Sequence, residues 1–364
     1  MRWINCPSHS GADVTNFLNQ HFSENGRQVL LVGGAGFDPR ARILPLQLDS
    51  ILGERLDALL LKEERPETTT DLVLRADENK RILIDQLSNV RIEPIDVLSA
   101  DLSVVGARLA VRCLASELSD AYSDVVLDLS ALSSGIGFPL VRYSLEWVDK
   151  KPKRRELHIL VAAHPTVDNS VRAMPLDKSR EIFGFKGHFG LESTSNAAKL
   201  WLPQLAYDQR HALSLIYDEV QPHDVCPVLP FPSRKPRESD CLLEYFGNEI
   251  LNIWEVAPKN VILAAEGNPL DLYRTILRID DERAVVFEET GGSQLLLTPS
   301  GSKALTIGAL LAAIERDLPV RHVESMGYRV EWQEVDQVTE DQVELLHLWL
   351  AGKPYSGIDG VGTD

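Results

Sequence analysis

Short apolar runs alternate along this chain with stretches in which apolar positions recur every three or four residues. The runs at 28–33 (QVLLVG), 56–61 (LDALLL), 90–97 (VRIEPIDV), 124–129 (DVVLDL) and 156–162 (ELHILVA) read as buried strands. Segments 77–87, 100–117 and 138–148 between them read as helices. The clearest is 100–117, where Leu102, Val105, Leu109, Val111 and Leu114 lead to Leu118 at helical spacing. Strands that alternate with helices predict βαβ units and a largely parallel sheet.

The rhythm pauses over 169–198, a polar stretch broken by Gly184, Gly187 and Gly190. It then resumes. Strands are predicted at 200–205, 224–229, 260–265, 283–287, 294–298 and 319–323, and helices at 209–220, 238–254, 271–279 and 300–315. An acidic tail from residue 331 carries one more predicted helix, over 340–350, and residues 355–364, rich in Gly and Asp, read as loosely held. The expected fold class is α/β, with two Rossmann-like halves and mostly parallel sheets. Its expected division is an N-terminal domain over 1–168, a connector over 169–198, a C-terminal domain over 199–330 and the tail over 331–364.

Two pairs of blocks echo one another. QVLLVGGAGFDPRARI (28–43) is like NVILAAEGNPLDLYRTI (260–276), and VVLDLSALSSGIGFPLVRYSLE (125–146) is like QLLLTPSGSKALTIGALLAAIE (294–315). Each has a strand, a loop of small residues and a helix. Duplication and two independent uses of the same loop chemistry both remain open.

Composition narrows the function classes. The chain has 364 residues, 44% apolar and 25% charged, enough for two cores. The net charge of −17 argues against non-specific nucleic-acid binding, which rests on a basic surface, but leaves room for a small basic pocket. Cys6, Cys113, Cys226 and Cys241 show no CxxC spacing and fit a reducing compartment. The N-terminus lacks the apolar run of a signal peptide, and the longest apolar stretch, around 306–314, falls short of the roughly 20 residues that span a bilayer. A cytoplasmic protein without a membrane partner is expected.

In open parallel sheets, ligands bind beyond the carboxyl ends of the strands, where helix N-termini favour anions. After the first strand, Gly34 and Gly36 match the start of a dinucleotide fingerprint, with Pro39 where its third glycine would stand. An acid closes the second strand, at Glu63 or Glu64. Asp38 and Arg40 either touch a ligand or pair with each other. Near the end of the fourth strand, Asp128 either orients a ribose hydroxyl or holds a loop N–H, and after it come Ser134 and Gly135, which suit a phosphate or an ordinary helix cap. The second half concentrates cations in its strand-end loops: Arg234, Lys235 and Arg237, then Asn268 and Arg274, then Ser302 and Lys303. A parallel sheet would carry all three loops to one rim, as a phosphate ligand requires. The full GxxxxGK[ST] pattern is absent, so no ATPase is predicted.

No catalytic set of similar quality is legible. Glu266 and His164 are acid–base candidates, and Ser134 lacks a GxSxG elbow. His158, His188, His211, His223, His322 and His347 show no metal-ligand spacing, and nothing specifies a cofactor.

The segment TPSGSKALTIGALLAAIE, with Gly301-Ser302-Lys303 in its turn, resembles the strand, Gly-Thr-Lys-like turn and Ala-rich helix of CARF domains. Ser134-Gly135 after DLSALS is a poorer copy. SAVED domains resemble two such units in one chain, as the two halves here would. The resemblance implies recognition of a signalling nucleotide in prokaryotic antiviral defence. Such sensors usually carry an effector, and none is read here, so it also implies a separate partner protein. The leading expectation is therefore a nucleotide-binding sensor or regulatory subunit. The alternatives are an enzyme acting on a nucleotide or sugar phosphate (a transferase or glycosidic hydrolase) and a scaffold subunit of a multi-protein complex.

Overall fold

The computed structural model describes residues 1–24, 26–187 and 196–355. In chain order the first elements are β1 (Ser8–Ser10), α1 (Ala12–Phe22), β2 (Val29–Gly34), α2 (Ile43–Leu52), β3 (Leu56–Glu64), α3 (Thr70–Gln86), β4 (Val90–Asp96), α4 (Gly106–Glu117), β5 (Asp124–Asp128), α5 (Ser134–Asp149) and β6 (Glu156–Ala163). Next come α6 (Pro165–Ser170), β7 (Val171–Glu181), β8 (Ala198–Pro203), α7 (Arg210–Val220), β9 (Asp224–Val225), β10 (Val228–Pro230), α8 (Glu238–Tyr245), β11 (Ile262–Ala264), α9 (Pro269–Phe287), β12 (Ser293–Thr298) and α10 (Lys303–Arg316). The last are β13 (Arg321–Val330), α11 (Trp332–Val335) and β14 (Glu344–Ala351).

The chain forms two compact units. One comprises Asn5–His164 and the chain from Asp336 onward; the other comprises Met1–Ile4 and Pro165–Val335. We call them the first and second unit.

The first unit is built on a seven-stranded sheet, in the order β1-β14-β6-β5-β2-β3-β4. β4, β3, β2, β5 and β6 run parallel, and β14 and β1 are antiparallel additions. Every residue of β2 and β5 is buried, which explains why they read as unbroken apolar runs: a parallel strand with helices on both faces has no polar side. The core gathers Val14, Leu18 and Phe22 of α1, Leu44 and Leu48 of α2, and Val29, Leu31, Leu60 and Val126 of the sheet.

The second unit repeats this plan. β12 pairs with β8, β8 with β9, and β10 with β11, all parallel, and bridges link Gln204 to Val228 and Leu297 to Val320. With β9 and β10 taken as successive parts of one strand, and Val320 as the start of the fifth, the order is β11-β10-β8-β12-β13. Both units thus follow the doubly wound 3-2-1-4-5 order. The core of this unit packs Trp201, Leu213, Ile216, Phe246, Trp254 and Leu296. The N-terminal residues join it, with the Trp3 N–H donating to Tyr273 Oη at 3.2 Å.

The shared order separates the two sequence echoes. Segments 125–146 and 294–315 are equivalent, since each is a fourth strand, its loop and its helix. Segments 28–43 and 260–276 are not equivalent, because β2 is a first strand and β11 a third.

The chain also passes from one unit to the other and back. After β6 of the first unit it enters the second, where β7 pairs antiparallel with β13; after β13 it returns, and β14 pairs antiparallel with β6. Three expectations are corrected here. The predicted tail helix at 340–350 is largely strand β14, and the polar connector contains strand β7. In β14 the burial of His347 erases the alternation that would have marked a strand, and a buried apolar run reads equally well as a helix. The predicted strand at 283–287 is the end of α9; its β-branched Val285 and Val286 are exposed on that helix, not packed in a sheet. Gly190, His188 and residues 356–364 lie outside the described residues. Among the described residues no helix is long and apolar enough to cross a membrane.

Candidate functional site

In the doubly wound order the crevice for a ligand opens where the order reverses, between the carboxyl ends of the first and fourth strands. In the first unit these are β2 and β5. Gly34 at the end of β2 lies against the loop after β5, and a Cβ there would stand 2.7 Å from the Ala131 carbonyl oxygen. In the second unit the strands are β8 and β12. Gly301 in the loop after β12 lies against Gln204, and its Cβ would stand 3.0 Å from Gln204 Oε1. Each switch point is therefore drawn tight by one glycine. A Gly34→Ala substitution is expected to cost about 1–3 kcal/mol by overpacking against rigid backbone. Gly36→Ala, with nothing within 4 Å of its Cβ, should stay within about 0.5 kcal/mol of wild type. Urea unfolding of the two variants checks the contrast; equal costs would mean the approach of the two loops is not fixed.

The first unit satisfies most of the polar groups at its strand ends, though the N-cap hydroxyl of Ser133 is buried without a partner. Asp38 caps the short turn at Pro39–Arg42, accepting from the Arg40 N–H at 2.9 Å and from Arg40 Nη2 at 2.7 Å. Arg40 is only 4% exposed. Asn79 Nδ2 donates to the carbonyls of Gly36 and Asp38. Of the readings open for Asp38 and Arg40, the structure displays the mutual pair. Asp128 accepts from the Ser130 N–H at 2.9 Å, and Ser130 Oγ accepts from the Ala162 N–H. Ser134 and Gly135 open α5 behind the N-cap residue Ser133. The Ser133 N–H donates to Glu63 Oε1 at 2.8 Å, and Arg65 Nη2 holds Glu63 Oε2 at 2.8 Å. A carboxylate of the chain thus stands where α5 would meet an anion.

The second unit is arranged differently. Beyond β10 and β11, the Arg234 N–H donates to Glu266 Oε2 at 2.9 Å and the Glu266 N–H donates to the Pro232 carbonyl, so these two loops are tied. Lys235 Nζ pairs with Glu238 at 3.4 Å and stands over the Tyr207 ring. Burial and the Glu238 carboxylate push the Tyr207 phenol up to about 12, so it stays a donor at neutral pH. Arg237 is 80% exposed beside Asp240. Asn268 Oδ1 caps α9 through the Leu270 N–H.

Beyond β12, the Ser300 Oγ and the Gly301 N–H both donate to Gln204, and Gln204 Nε2 donates to the Leu305 carbonyl. This staple fixes Ser302 as the N-cap of α10 and Lys303 as its first residue. Ser302 Oγ is buried and has no hydrogen-bond partner.

The loops holding Arg234 and Lys303 both follow parallel strands, but β8 lies between β10 and β12, so the strands they follow are about two strand spacings, ~9–10 Å, apart. Arg274 is turned elsewhere, its guanidinium on the Ile4 carbonyl. Its place one turn into α9 made it look like a rim residue, but the N-terminal segment that receives it gave no sign in the sequence. His164, the other acid–base candidate, follows β6 in the first unit.

No family model matches the chain, and no curated protein matches it. Among solved structures, a putative universal stress protein from Pseudomonas aeruginosa UCBPP-PA14 aligns with 83% of this chain and 94% of its own at 9% identity, with a TM-score of 0.22. A likeness at that level carries no argument about the site.

Proposed function

We propose that the second unit binds a phosphate-bearing small molecule, a nucleotide, at the N-terminus of α10, and that the protein acts as a sensor or regulatory subunit. One observation carries the reading: the N-cap hydroxyl of Ser302 is buried without a partner at the switch point, beside the first helical residue, Lys303. An unsatisfied buried hydroxyl costs about 1–3 kcal/mol. An anion seated on the helix start would accept its proton and meet the positive end of the helix dipole. The equivalent N-cap hydroxyl of the first unit, Ser133 Oγ, is likewise buried without a partner, but there Glu63 occupies the helix start through the Ser133 N–H, whereas Lys303 follows Ser302. The likeness of segment 298–315 to CARF and SAVED sensors extends the proposal to a signalling nucleotide in antiviral defence, read by a separate effector protein. Glu266 spends its carboxylate on a loop N–H, so binding is favoured over hydrolysis.

The test is titration calorimetry with linear and cyclic nucleotides on wild type, Lys303→Glu and Ser302→Ala. Wild type should bind at least one of them, with Lys303→Glu at least tenfold weaker. A folded wild type that binds none of them, or a Lys303→Glu variant that binds equally well, refutes the reading.

A further inference from the structure

At the edge of the first unit's sheet where its parallel strands begin lies a buried polar cluster that the proposed nucleotide site does not use. His21 comes from the last turn of α1, Asp124 opens β5, and Glu156 and His158 lie two residues apart at the start of β6. One ligand-type atom from each falls within 4.8 Å of all the others. Asp124 Oδ1 lies 3.0 Å from His21 Nε2 and 3.3 Å from His158 Nε2. Donors around a tetrahedral zinc, at about 2.0–2.1 Å from the ion, stand about 3.3 Å from one another. Asp124, His158 and His21 are all at least nine-tenths buried.

Two further observations point to a cation, and a third concerns its access. First, the cluster holds two carboxylates, and the cation on them is Arg27, whose Nη1 reaches Asp124 at 3.0 Å and Glu156 at 3.4 Å. Arg27 is also held outside the cluster, by Glu24 through Nε at 3.1 Å and Nη2 at 2.8 Å. Its Nη1 can leave the carboxylates without losing that pair. Second, Glu156 Oε2 is buried and has no hydrogen-bond partner, a costly state that an ion would relieve. Third, Glu156 lines a surface cleft of about 260 Å³ with Pro152, Lys153 and Lys353, which gives an ion a way in.

The surrounding shell suits imidazole ligation. His158 Nδ1 lies 3.0 Å from His347 Nε2, and His347 Nδ1 lies 2.9 Å from His9 Nδ1. If His158 offers its Nε2 lone pair to an ion, its Nδ1–H donates to His347, whose own Nδ1–H donates to His9. Ligating histidines are commonly oriented in this way, through their second nitrogen.

We propose that His21, Asp124, Glu156 and His158 bind a first-row transition dication of the zinc class, admitted through the cleft beside Glu156 and displacing Arg27 Nη1 from the two carboxylates. Two imidazoles among four donors select zinc-like ions over magnesium or calcium, which take oxygen donors.

The experiment is titration of the chelator-stripped, dialysed full chain with Co²⁺, followed by visible absorption, with Zn²⁺ and Mg²⁺ as competitors. Circular dichroism reports folding. Wild type should take up one equivalent of Co²⁺ with the intense bands of a tetrahedral site, displaced by Zn²⁺ and not by Mg²⁺. Glu156→Gln, on the cleft side, and His21→Gln should each bind at least tenfold more weakly. If His21→Gln does not fold, Glu156→Gln decides alone. Substoichiometric uptake by folded wild type, or a folded Glu156→Gln that binds as wild type does, overturns the proposal.

Discussion

Replacing Asp124 with alanine is expected to destabilise the first unit by about 3–5 kcal/mol, the cost of breaking a buried charged network from one side. Asp124 is fully buried, yet its carboxyl is held far below the usual carboxylate range. Burial alone would raise it. The hydrogen bonds from His158, His21 and Ser123 outweigh that penalty, with the Arg27 guanidinium added. Removing the carboxylate leaves two buried imidazoles without their acceptor and sets Arg27 beside two carboxylates, Glu24 and Glu156, instead of three. Asp124→Asn keeps an acceptor and most of the volume, so it should cost less, about 1–3 kcal/mol. Urea unfolding of the unit, followed by circular dichroism, ranks the variants. A loss under about 1 kcal/mol for the alanine variant would mean that the network contributes nothing net.

The second large effect is on pH. Burial pulls His158 down to about 4 against the pull of Asp124, and burial also lowers His347 well below its ordinary value. In the unfolded chain both rings titrate near 6.5. A depressed histidine stays neutral in the folded unit while the unfolded chain takes up a proton. Stability is therefore full above about pH 6.5 and falls as the pH drops from there towards 4. For His158 the loss at pH 5 is about 2 kcal/mol, and His347 adds to it with the same sign. The Asp124 contribution falls in a different window, since a lowered carboxylate loses its stabilisation only below about pH 4. Stability curves between pH 7.5 and 5, with chelator present, should slope downwards towards acid, and His347→Gln should flatten them. A level curve for wild type would contradict the burial of neutral rings.

What could be read in the sequence follows from local physics. Strands covered on both faces, such as β2 and β5, betray themselves by unbroken apolar runs, and so the α/β class and the parallel sheets were legible. β14 was not, because the polar residue in its middle, His347, is buried by a partner 189 residues away. The cationic loops were legible as loops after strands. Their pairing was not, because Glu238 and Asp240 claim Lys235 and Arg237 from the next helix. The buried cluster offered one local hint: Glu156 and His158 stand two apart and so face the same side of a strand. His21 and Asp124 reach them from a helix and a neighbouring strand, a meeting that spacing along the chain cannot encode.

The return of the chain to the first unit bears on any attempt to divide the protein. A fragment ending at His164 would lack β14, whose Leu346, Leu348 and Leu350 are almost wholly buried where β14 completes the sheet. The edge of β6 would be bare, an invitation to self-association that intact sheets avoid. A single scission near residue 164 should therefore leave neither piece well behaved alone. Co-expressed as two polypeptides, residues 1–164 and 165–364 should instead reassemble, the second returning β14 to the first unit's sheet and the first returning Trp3 to the second unit's core. The molecule would then tolerate a break in its covalent chain far better than the loss of either half.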